Sequence, residues 1–156
     1  MNQKNLSRWV RGVLVTVGVC GLAMLLWISA VTGKNTEGIP GGIPAAWTVL
    51  LWCAAVPCYG VLAVGWRIAG SIGADRSFTS ENAKRLVVCA WLFAGDGVFF
   101  FLGNLVLLFS GAGDIGIAVL SLVPCFLAAS CSVAAAALSH LVRKAAKLQE
   151  AEDLTI

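Results

Sequence analysis

Charge is scarce in this chain: Asp, Glu, Lys and Arg make up 12% of its 156 residues, against 59% hydrophobic side chains and a mean hydropathy of +0.88. That balance excludes an ordinary soluble domain and points to a bilayer. Histidine is scarcer still, and the single His140 disfavours a bis-histidine haem site. No CxxC, HExxH or GxSxG occurs, and no two carboxylates share an apolar stretch. Ser139 and His140 are neighbours in sequence but do not face one another on a helix. The chain therefore reads as non-enzymatic, with no catalytic residue, metal or cofactor assigned.

What the chain does have is long apolar runs. Residues 10–31, 46–68, 86–109 and 115–138 each reach the roughly 20 apolar residues that cross a hydrocarbon core of about 30 Å. The links between them are TGKNTEGIPGGIPA, GSIGADRSFTSENAKR and the tight turn SGAGD, leaving no room for a soluble domain. The expected architecture is all-α: one polytopic membrane domain over residues 1–156, a four-helix bundle of two hairpins with a short cytoplasmic tail over 140–156. An amino-terminal signal peptide is the competing reading of the first run. Its apolar part, Val13 to Val31, is longer than a usual signal core, so it is expected to stay as a span. Of the eleven basic residues only Lys34 falls on the far side. Lys4, Arg8, Arg11, Arg67, Arg76, Lys84, Arg85, Arg143, Lys144 and Lys147 share one face, which the positive-inside rule makes cytoplasmic together with both termini. That placement explains the net charge of +3 without direct nucleic-acid binding.

Within the spans, the six cysteines Cys20, Cys53, Cys58, Cys89, Cys125 and Cys131 read as small packing residues; a thiol relay or metal site is the sharper alternative. Small residues, above all Ala128 to Ser139, mark faces where helices approach closely, serving a homo-oligomer contact as readily as an internal one. Pro57 and Pro124 should bend their helices. Trp9, Trp27, Trp47 and Trp66 read as interfacial anchors among the lipids. Asp96 is the one charge deep in a span, at a cost of about 3 kcal/mol, and with Asn104 it marks an intramembrane polar site. A proton-coupling or ligand-binding carboxylate is one reading; the other is a carboxyl bonded to a serine, tryptophan or backbone group.

On the cytoplasmic face, Thr79 or Ser80 can cap the third helix and Glu81 suits its positive end, while Phe78, Glu81 and Asn82 form a compact candidate surface. Past the fourth span, Leu141, Ala145 and Leu148 continue an amphipathic helix whose Arg143, Lys144 and Lys147 suit anionic headgroups. Glu150, Glu152 and Asp153 then reverse the charge. Leu154, Thr155 and Ile156 alternate apolar and polar, which suits a protein groove or an added strand.

Four spans, SFTSENAKRL and the ending EAEDLTI together resemble, over essentially the whole chain, the bacterial membrane-protein family catalogued as domain of unknown function 2975. The family pattern F-[ST]-x-E-N-a-x-x-L is matched by Phe78, Thr79, Glu81, Asn82 and Leu86. Its frequent ending E-N-D-L-T-I is matched by Glu152, Asp153, Leu154, Thr155 and Ile156; the intervening asparagine is absent, and with it any contact of its amide. The resemblance implies no established catalytic activity. Members are often encoded beside a very small helix-turn-helix transcription regulator, which implies an inner-membrane protein that holds or signals to such a regulator through the tail and middle link. The alternative expectation is a small transporter, or an accessory subunit of one, that uses Asp96.

Overall fold

The computed structural model describes residues 3–34, 45–74, 78–111, 113 and 115–153. Within them the apolar runs form helices and no strands: α1 (Gln3–Lys34), α2 (Ala45–Gly73), α3 (Ser80–Phe109), α4 (Ile115–Leu120) and α5 (Leu122–Asp153). Four helical segments are long and apolar enough to cross a membrane, with α4 and α5 together making the fourth. α1 and α5 have 32 residues each, about 48 Å at 1.5 Å per residue, and so outrun a hydrocarbon core of about 30 Å.

The ends follow local chemistry. Thr79 is the N-cap of α3, its backbone extended at φ −120° and ψ 149°, and its hydroxyl accepts from the Asn82 N–H at 3.3 Å. At the other end Gly111 takes φ 73°, a left-handed value that a side chain would oppose, and its N–H reaches the Leu108 carbonyl at 3.3 Å. The two prolines behave differently. α2 runs unbroken through Pro57. Pro124 stands in the first turn of α5, where its missing N–H is tolerated, and α4 gives way to α5 at Ser121 just before it.

Three seams join the helices, made by small residues, by side-chain bonds to backbone and by bonds and contacts between side chains. Between α3 and α5, Ser139 Oγ donates to the Ala83 carbonyl at 2.9 Å, Ser132 Oγ to Ala90 at 2.8 Å and Cys125 Sγ to Gly97 at 3.7 Å. Both partners step by seven residues, the repeat that keeps one stripe of each helix on its antiparallel neighbour. Between α1 and α2, Ser7 Oγ donates to the Ala69 carbonyl at 2.7 Å and Tyr59 Oη to Gly18 at 2.7 Å, while Trp52 Nε1 donates to Ser29 Oγ at 2.9 Å. Between α2 and α3, Leu50 lies against Gly103 and Trp47 tilts against Phe100 with ring centroids 6.5 Å apart.

The four spans expected from the sequence are present, and these seams set them side by side. Among the described residues α1 meets only α2, α2 also meets α3, and α3 also meets α4 and α5; α1 and α5 do not touch. The helices stand as an open row. The physical reason lies on the outer helices, which turn large side chains such as Val13, Val17, Met24, Phe126 and Val133 outward. In water such faces would collapse; lipid tails solvate them as they are. The start of α1, the end of α2, the start of α3 and the end of α5 all lie at one end of the row, through Ser7 with Ala69, Arg85 with Ser71 and Ser139 with Ala83. Lys4, Arg8, Arg11, Arg67, Lys84, Arg85, Arg143, Lys144 and Lys147 therefore gather at that end.

Candidate functional site

At the basic end, Arg85 ties the start of α3 to the end of α2. Its Nη1 donates to Ser71 Oγ at 3.0 Å, to Asn82 Oδ1 at 3.2 Å and to the Arg67 carbonyl at 3.4 Å, and its Nη2 pairs with Glu81 Oε1. The guanidinium so satisfies backbone and hydroxyl groups near the end of α2 from the first turns of α3. Asn82, expected as part of an open surface, is 2% exposed and lies inside this clamp. Its amide oxygen accepts from Arg85, which also reaches the end of α2. Phe78 and Glu81 do lie open, at 57% for the residue and 72% for the side chain. From the sequence Arg85 reads as one of the charges of the basic face. The signal for its larger role was its spacing of three from Asn82 and four from Glu81, both one turn away on a helix.

α5 carries two apolar stripes past the membrane. Ser139, Val142 and Ala146 are buried. Leu141 and Leu148, read from the sequence as the apolar side of an amphipathic continuation, lie outward at 65% and 61% exposure. The small seam residues win the inner face because they allow closer approach. In the α3 and α5 register Val142 stands level with Ser80, so the eleven residues to Asp153 project about 16 Å past the start of α3. The side chains of Glu152 and Asp153, and Leu154, Thr155 and Ile156 entirely, lie outside the described residues, as does Arg76.

Deep in the row, Asp96 and Asn104 face α2 separately. Cys58 Sγ donates to Asp96 Oδ2 at 3.2 Å, while Asp96 Oδ1 is buried with no hydrogen-bond partner among the described residues. Asn104 accepts from Trp47 Nε1 at 3.0 Å and donates to the Phe100 carbonyl at 2.8 Å. Eight residues, about 12 Å along the helix, separate the two polar groups, and each has its own partner on α2. Neither partner was assigned from sequence: Cys58 read as packing and Trp47 as an interfacial anchor. Among the described residues no three His, Cys, Asp or Glu side chains gather as metal ligands.

Helix lengths, seams and a gathered basic end define a polytopic α-helical membrane protein. Within that class the chain belongs to the family described as protein of unknown function (DUF2975), whose model matches residues 13–156. No curated protein and no solved structure matches the chain.

Proposed function

We propose that this protein is a non-enzymatic component of the bacterial cytoplasmic membrane that holds a small helix-turn-helix transcription regulator at its basic, cytoplasmic end. The observation that carries the reading is the projecting end of α5, which continues as helix to Asp153 with Leu141 and Leu148 turned outward. An apolar stripe on a helix outside the hydrocarbon core is a recognition element for a groove. The acids that follow, Glu150, Glu152 and Asp153, complement a basic DNA-binding surface, and Leu154 and Ile156 add apolar anchors. Phe78 and Glu81 extend the surface from the neighbouring turn, with Thr155 between the two anchors and Asn82 holding the turn in shape. Occupation of a DNA-binding surface by the tail would compete with DNA.

The test is affinity recovery from gently solubilised membranes with the tag at the amino terminus, comparing the intact chain with one stopped after Gln149. A small DNA-binding protein recovered with the intact chain and lost with the shortened one is the expected outcome. Equal recovery with both, or none with either, would reject the tail as the handle.

One observation favours a second reading, a small transporter or an accessory subunit of one: Asp96 Oδ1 is buried and has no hydrogen-bond partner among the described residues. A carboxyl at membrane depth with unused capacity suits a coupling proton or a cationic substrate. On that reading Asp96→Asn abolishes flux in reconstituted vesicles while truncation after Gln149 leaves it intact. Unchanged flux in Asp96→Asn would set it aside.

A further inference from the structure

Along the basic half of the α3 and α5 seam runs an outward-facing groove of about 430 Å³, with Val87, Trp91, Ala94 and Ala136 on its walls and His140 and Arg143 at its mouth. It exists because the helices are held close by small residues that leave the space beside them unfilled. Its serines do not make it polar. Ser132 and Ser139 spend their hydroxyl donors on the carbonyls of Ala90 and Ala83, so the walls are hydrocarbon over most of their length. Over most of its length the groove suits a hydrocarbon chain better than a polar ligand.

Its two ends differ in chemistry. In the α3 and α5 register Trp91 is level with residue 131, and twelve residues, about 18 Å, separate that level from Arg143. Trp91 is exposed on the deep part of the wall. Arg143 belongs to a helix whose amino-terminal direction leads back into the bilayer, and side chains on a helix lean that way. Its guanidinium is thereby aimed from the cytoplasmic interface down towards the headgroup layer, its methylene stem lying along apolar surface. No hydrogen bond or ion pair occupies it among the described residues, where Arg85 with Glu81 is the sole ion pair.

We propose that this groove binds one anionic glycerophospholipid of the cytoplasmic leaflet, with an acyl chain along Val87, Trp91, Ala94 and Ala136 and its phosphate on Arg143, assisted by His140. The occupant follows from charge complementarity: an apolar channel the length of a leaflet, opening on a fixed cation, matches a chain joined to an anionic head. A zwitterionic lipid fits the channel but brings its own cation to the guanidinium. The site is independent of any cytoplasmic partner and adds a ligand of defined class to the α3 and α5 pair.

The test uses the full chain in phosphatidylcholine vesicles containing a small fraction of phosphatidylglycerol brominated on its acyl chain, against brominated phosphatidylcholine at the same fraction. The readout is the Trp91 share of tryptophan quenching, taken as the difference from Trp91→Phe. The anionic lipid should occupy the groove about fivefold better, the worth of roughly one well-placed cation. That preference should fall to near unity in Arg143→Gln, persist in Arg143→Lys and persist in Lys4→Gln, a charge on the same face away from the groove. Ala136→Phe, which fills an exposed wall position, should reduce Trp91 quenching by either lipid. Equal quenching by the two lipids in the intact chain, or equal losses from Lys4→Gln and Arg143→Gln, would overturn the site in favour of diffuse surface attraction.

Discussion

At Gly103 the absence of a side chain decides how closely α3 approaches α2. A Cβ there would overlap Leu50 Cδ1 and press on its Cδ2 and Cγ at 3.0 and 3.2 Å, whereas one at Gly95 would meet nothing within 4 Å. Gly103→Ala should therefore destabilise the protein by about 1–3 kcal/mol, read as a lower thermal midpoint in detergent. Gly95→Ala should be neutral or raise stability by up to about 1 kcal/mol through helix propensity alone. Equal midpoints would contradict the close contact. Trp47 and Asn104 offer a second test, since their bond closes the same seam at 3.0 Å. A double-mutant cycle of Trp47→Phe with Asn104→Leu should give a coupling of about 1 kcal/mol, the usual size for a hydrogen bond between membrane helices. Such residue-scale partners were the least legible part of the sequence. Asp96 stood out because a charge in an apolar run is costly, but a thiol is too small and apolar to announce itself, so Cys58 did not.

Each span was legible as an element because its length and apolarity are local properties. The cap at Thr79 was legible too, since a hydroxyl before an acidic first turn acts within four residues. Burial of Asn82 and the choice of inner face on α5 were not, because both depend on which neighbour covers which face. Ala83 is fully buried where Ser139 crosses it. Ala83→Leu should force α3 and α5 apart and cost about 1–3 kcal/mol, measured as a lowered thermal midpoint, with an equal change at exposed Ala134 costing little. Arg85→Ala should loosen the end of α2, seen as faster amide exchange over residues 70–74, while Lys84→Ala should leave it unchanged. Equal exchange in the two variants would mean that Arg85 is a surface charge and no clamp.

As a whole molecule, the chain is a row of helices whose outer faces are solvated by lipid. Four spans and the side bearing the charges could be read from the distribution of eleven basic residues. The open order could not, because small residues occur on every helix and composition does not say which small faces pair. The row gives the basic end its width: the first turns of α1 and α3 and the last turns of α2 and α5 all reach it, so the proposed partner and the proposed lipid would both meet the protein there. Everything proposed for the tail requires that face to be cytoplasmic. The most direct measurement is therefore the activity of alkaline phosphatase, which works only outside the cytoplasm, fused in one strain after Ile156 and in another after Lys34. An inactive fusion at Ile156 and an active one at Lys34 are expected; activity at Ile156 would put the tail on the wrong side of the membrane and contradict the account.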